Sequence, residues 1–203
     1  MPAIPAVDRP SPESLTDLLA VLRPGPEDDR ISVEDALARV GSRSFPAVIL
    51  VPAVLVVSPL SGIPTMPSLS GLLVLFITLQ VLLGRKHLWL PGFITRRSIS
   101  ASKMTRALDW LARPAAFMDR HSHDRLRFLV RGPTRVFAYI ATAVLAAGWP
   151  LLEILPFVTS FAAGAVSMIM YGLMVRDGFY TLWGYVQGAL LYGAVLMVWV
   201  GIV

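Results

Sequence analysis

The chain contains no cysteine, which excludes structural disulfides, thiolate metal sites and cysteine nucleophiles together. Charge is scarce as well. Charged residues make up 15% of 203 positions against 55% apolar, and the mean hydropathy is +0.66. From Phe45 to Gly84, forty residues pass without one charged side chain. A soluble core needs no such run, whereas the hydrocarbon layer of a bilayer does. The composition therefore reads as an all-α polytopic membrane protein. Met1 to Gly41 shows no apolar h-region, so no cleavable signal peptide is expected there.

A second apolar block, Val136 to Val175, carries only Glu153 and ends at Arg176, as the first ends at Arg85. At an offset of 91 the blocks align Pro59 with Pro150, Ile63 with Ile154 and Arg85 with Arg176. The working expectation is two repeated helical hairpins broken by proline, over 45–84 and 136–178, followed by a transmembrane helix over 179–203. Pro52, Pro59, Pro64 and Pro67 split the first block into arms near 45–57 and 66–84. At ~1.5 Å per residue the first arm is ~20 Å long against a hydrocarbon core of ~30 Å. A packed hairpin with kinks and a re-entrant hairpin both fit. Irregular backbone at membrane depth survives only inside protein or beside a wet cavity, and broken helices are where small transporters bind substrates.

The net charge of +5 hides a partition. Residues 1–44 hold five arginines and eight acids, while 85–135 hold twelve Lys/Arg and three Asp. Positive charge beside apolar spans marks the cytoplasmic side and suits anionic headgroups better than nucleic acid. The expectation is a bacterial inner-membrane protein, multi-pass, with its N-terminus and the 85–135 segment cytoplasmic.

Two amphipathic helices precede the first span. Ser11, Pro12 and Glu13 read as a helix start ahead of a stripe of Leu15, Leu18, Leu19 and Leu22. Ser32 and Asp35 read as a capping pair for a helix stopped by Gly41. Packing on the rest of the chain is the plainer expectation, lying on the membrane the sharper one. Beyond the first block, Trp89 and Pro91 form an interfacial anchor. Met104, Leu108 and Leu111 with flanking cations read as a helix in the headgroup plane. Arg96, Arg97, Lys103 and Arg106 are the candidate patch for anionic lipid or a partner. His121, His123 and Asp124 lack a second cluster and read as a solvated turn, not metal ligands.

Within the blocks, Gln80 either bonds a neighbouring helix or lines a polar path. Glu153 sits at the outer interface if its hairpin crosses, or becomes an ion or proton site if the turn is buried. Arg176 and Asp177, before Gly178, read as a capped turn. Gly184 and Gly188 form GxxxG in the last span, which permits close packing within the chain or a homodimer.

The stretches ISVEDALARVGSR (Ile31–Arg43), LQVLLGRKHLWLP (Leu79–Pro91), RRS (Arg96–Ser98) and GLMVRDGFYTLWG (Gly172–Gly184) resemble the ExoD family of exopolysaccharide-synthesis membrane proteins. The resemblance runs from about Ser11 to Gly188. It departs in the second hairpin, where Pro150, Glu153 and Pro156 stand in place of a P-x-P stretch followed by asparagine. It implies a bacterial inner-membrane protein that affects exopolysaccharide production, with the synthesis machinery as partner. It implies no molecular activity. No nucleophile–base set, carboxylate pair, phosphate loop or metal spacing is present. The expectation is a non-enzymatic accessory or regulatory protein without a cofactor; the alternative is a small transporter built from paired broken or re-entrant hairpins.

Overall fold

The computed structural model describes residues 14–40, 45–58, 63, 65–85, 92–123, 125–153 and 156–202. Helix α1 (Leu15–Leu22) starts at Ser14, whose hydroxyl accepts the Asp17 N–H at 3.0 Å. The expected start at Ser11 lies outside the described residues. Leu15, Leu18, Leu19 and Leu22 are all buried, and burying a leucine side chain contributes roughly 1.5–3 kcal/mol. In the connection that follows, Asp28 accepts from the Arg39 guanidinium and the Gly25 N–H, each at 2.7 Å. Arg39 first, then the Gly25 amide, holds the Asp28 carboxyl below its ordinary pKa.

Strand β1 (Arg30–Ser32) leads into α2 (Val33–Val40). The Ser32 hydroxyl accepts the Asp35 N–H at 3.0 Å while the Asp35 carboxylate takes the Ser32 N–H at 3.1 Å. This is the expected capping pair. Strand β1 pairs antiparallel with β2 (Ser98–Ser100), placing Ile31 opposite Ile99. Sequence periodicity gave no sign of this ribbon, because three residues are too few to show an alternation.

Helix α6 (Ala101–His121) packs on α1. Met104, Leu108 and Leu111 are buried, so the stripe expected to face headgroups is covered by the leucine stripe of α1. The N-terminal helices dock on the chain, as the plainer expectation had it. Because 15–40 and 98–121 form one module, both segments lie on the same side of any membrane the chain crosses.

The first apolar block forms α3 (Phe45–Val57) and α4 (Met66–Leu82). At ~1.5 Å per residue they reach ~20 and ~26 Å, short of the ~30 Å hydrocarbon layer. Pro52 lies inside α3 without ending it. Every residue from Pro46 to Val56 is buried, and this enclosure outweighs the local penalty of one missing N–H. Pro67 sits in the first turn of α4, where its N–H is not needed. Pro59 and Pro64 lie outside the described residues.

After α5 (Gly92–Thr95) and α6, the second block forms α7 (Pro133–Ala147), α8 (Trp149–Leu152), α9 (Pro156–Val175) and then α10 (Gly178–Ile202). Among the described residues three stretches are long and apolar enough to cross a membrane: Pro133–Leu152, Val158–Val175 and Gly178–Val198. Helix α3 is packed between α4 and α9, α4 also packs on α7, and α9 packs along α10. Phe137, Val144, Leu190 and Met197 remain exposed, an apolar outer surface compatible with a multi-pass membrane protein.

Candidate functional site

The acids of the apolar blocks sit at helix ends. Glu153, just after α8, accepts the Thr65 N–H at 2.5 Å and also the Ser68 hydroxyl. Its carboxylate thereby caps the N-terminus of α4, where unpaired N–H groups and the helix dipole favour negative charge. Thr65 itself takes φ 69°, so its backbone turns sharply into the helix. Gln80 is buried and donates to the Phe76 carbonyl one turn back at 3.3 Å. Arg85 is exposed; its N–H bonds the Gln80 carbonyl at 3.0 Å and closes α4 after Gly84 at φ 70°.

Arg176, Asp177 and Gly178 each have a separate task. Arg176 takes φ 62° and turns the chain. Asp177, 1% exposed, accepts from the Phe179 N–H at 3.0 Å and the His123 N–H at 2.9 Å. It caps α10 and ties down the α6–α7 connection. A Cβ at Gly178 would overlap the Leu126 backbone, so no larger residue fits.

Sequence reasoning missed Asp119. Its carboxylate accepts the Leu15 and Thr16 N–H groups at 3.0 and 2.8 Å, the Thr16 hydroxyl at 2.5 Å and the Tyr171 hydroxyl at 2.8 Å. One side chain thus caps α1 and fastens the module to α9. The signal was an acid that continues the buried stripe Met104, Leu108, Leu111, Ala115 by a further four residues.

Gly184 and Gly188 serve packing within the chain. A Cβ at Gly184 would lie 2.7 Å from the Ala165 carbonyl oxygen on α9, and one at Gly188 would lie 2.9 Å from Leu145 on α7. Close approach of this kind is what holds helices together where lipid competes equally for apolar side chains.

Arg96 and Arg97 are exposed just before β2, and Lys103 and Arg106 are exposed on α6. The α6 face continues through Trp110, Arg113, Phe117 and Arg120, all exposed. Cations and aromatics therefore alternate at three- and four-residue spacing along one side. Trp89 and Pro91, the expected anchor, lie outside the described residues, as does Asp124. His121 and His123 bond backbone carbonyls at 2.8 and 2.9 Å. Among the described residues no group of three His, Asp or Glu side chains is placed to hold a metal ion.

Between the module and the first hairpin lies a cavity of about 210 Å³. Val33 and Leu37 of α2, Pro52 and Leu55 of α3, and Leu69 and Leu73 of α4 form its apolar walls. Arg97 and Ser98 line it on the module side, and Thr65 lines it at the start of α4. The candidate residues are thus not gathered into one constellation. They divide between helix caps, an outer basic face and this cavity.

The profile of the family described as "Exopolysaccharide synthesis, ExoD" matches residues 15–199. The chain belongs to the ExoD family. A curated relative, Protein ExoD of Rhizobium meliloti (strain 1021), is 26% identical over 181 residues, covering 86% of this chain and 73% of the relative. No solved structure matches. The ExoD match begins slightly inside the resemblance read from sequence motifs, runs past it at the C-terminal end, and takes in the three long apolar helices and the N-terminal module alike. The second hairpin, with Glu153 in its turn, falls inside it.

Proposed function

We propose that this ExoD-family chain is a non-enzymatic accessory or regulatory factor of exopolysaccharide synthesis in the bacterial inner membrane. Its basic module faces the cytoplasm, where the exposed cations at Arg96, Arg97, Lys103 and Arg106 engage anionic headgroups or the synthesis machinery. Family membership supports the process. One observation carries the accessory role: Glu153, the acid best placed to move an ion or proton, is bound to the start of α4 as a cap. Gln80 and Thr78 likewise bond carbonyls of their own helix.

A second reading, transport through paired broken hairpins, is favoured by two other observations. Helix α3 packs on α9 while α4 packs on α7, the reciprocal pattern that a repeat at offset 91 would produce about a two-fold axis. In addition, the buried hydroxyls of Thr142, Ser167, Thr181 and Tyr185 have no hydrogen-bond partner among the described residues, which is costly at membrane depth unless a polar path runs there.

Complementation of a bacterial strain lacking the protein separates the two. Changing Arg96, Arg97, Lys103 and Arg106 together to glutamine is expected to lower exopolysaccharide output several-fold while the protein still accumulates in the membrane. Glu153→Gln and Gln80→Ala are each expected to keep output near wild type. Loss of output with Glu153→Gln and Gln80→Ala in normally accumulated protein, with the quadruple variant active, would sink the accessory reading and leave transport.

A further inference from the structure

We infer that the cavity between the module and the first hairpin binds one hydrocarbon chain of an anionic amphiphile, with its acidic head held by Arg97. Three observations converge. The walls are mostly aliphatic and come from α2, α3 and α4, so that the module and the first hairpin both contribute to them. Arg97 is the one charged residue in the lining, and among the described residues its guanidinium has neither a carboxylate nor any other hydrogen-bond partner. Ser98 and Ser32 of the module line it too, with their hydroxyls already bonded to Arg30 and Asp35, which leaves the Arg97 guanidinium as a donor open to a guest.

The Arg97 guanidinium is exposed, so it can take an anionic head at the surface while the apolar lining takes the chain. A guanidinium suits carboxylate and phosphate alike, because its fork of N–H donors matches two acceptor oxygens. The volume sets the shape of the guest. At about 210 Å³ the cavity is below the roughly 300–1,000 Å³ typical of compact small-molecule pockets, so it holds part of one acyl chain, with the rest of the guest reaching past the opening. Its lining runs from Arg97 to Thr65 at the start of α4, which orients the guest along the hairpin with its head at the ribbon. The position of Arg97 is set by the ribbon itself, since its carbonyl accepts the Val33 N–H at 2.9 Å.

The shared chemistry is an acyl chain ending in an anion, which either a membrane phospholipid or a free fatty acid supplies. This inference stands without the accessory role, and its test reads lipid retention, not exopolysaccharide. Full-length protein, purified in detergent and stripped of lipid, would be titrated separately with dioleoylphosphatidylglycerol, dioleoylphosphatidylcholine and oleate. Retained ligand is counted by native mass spectrometry. One equivalent of phosphatidylglycerol or oleate is expected, with phosphatidylcholine at least about tenfold weaker; whichever anion is retained identifies the source. Arg97→Gln is expected to weaken that binding about tenfold and Arg97→Lys less. Leu69→Trp, which fills the slot, is expected to abolish it. Arg97 is exposed, so its variants keep the fold and decide the matter even if Leu69→Trp unfolds. Equal retention of phosphatidylcholine, no retention of either anion, or unchanged binding by Arg97→Gln would overturn the inference.

Discussion

Replacing Asp119 with alanine is expected to release α1 from α6 and to lower the stability of the chain by about 3 kcal/mol, two charge-assisted hydrogen bonds' worth. The carboxylate serves two backbone N–H groups of α1 and the hydroxyls of Thr16 and Tyr171. Truncation leaves the Leu15 and Thr16 N–H groups without their partner, with only the Ser14 cap remaining, and removes the bond from the Tyr171 hydroxyl to α6. For a chain of this size the melting temperature in detergent should fall by about 6–12 °C, and protease should cut the 23–29 connection faster. Asp119→Asn keeps an acceptor but not the charge, so a smaller loss is expected. An unchanged melting temperature for Asp119→Ala would show that the leucine stripe alone holds the module.

Gly184→Leu is expected to cost about as much, for a different reason. At this position the obstacle is backbone: a Cβ would stand 2.7 Å from the Ala165 carbonyl oxygen and 2.9 Å from the Ile169 nitrogen. Neither atom can rotate away, so α10 must move off α9 and lose the contacts of the whole seam. Overpacking of this kind costs about 1–3 kcal/mol and at times more. Gly193→Leu is the matched control, since nothing lies within 4 Å of its Cβ position. Gly188→Ala should be mild because its neighbour is the movable Leu145 side chain. Thermal melts of the three variants in one detergent check the order; equal losses for Gly184→Leu and Gly193→Leu would refute the seam.

Local features of the fold were legible in the sequence. The leucine stripe of α1, the Ser32–Asp35 pair and the apolar blocks all rest on neighbours within a turn or two, and the structure holds them where expected. The trans caps were not legible. Glu153 is 88 residues from Thr65 and Asp119 is 103 residues from Thr16, and no local period records such a meeting. The same limit applies to Pro52. The expected first arm, 45–57, already runs through Pro52 and α3 does the same, but its enclosure by α4 and α9 is a long-range fact that no local pattern records. The α6 stripe was read correctly as apolar but given to lipid, because a stripe does not say what covers it. Glu153 shows the converse, since an acid in apolar surroundings was visible while its use as a cap depended on a partner in the other block.

Which side of the membrane each part occupies decides between a crossing and a re-entrant hairpin, and the absence of cysteine allows that to be measured cleanly. Single cysteines at Leu151, which is 79% exposed at the far end of the α7–α8 stretch, and at Ser102, exposed on α6, would be probed with an impermeant thiol reagent. Leu151→Cys should react in intact cells, and Ser102→Cys only after the inner face is opened. Reaction of Ser102→Cys from outside, or silence of Leu151→Cys until the inner face is opened, would contradict a crossing hairpin with a cytoplasmic basic module.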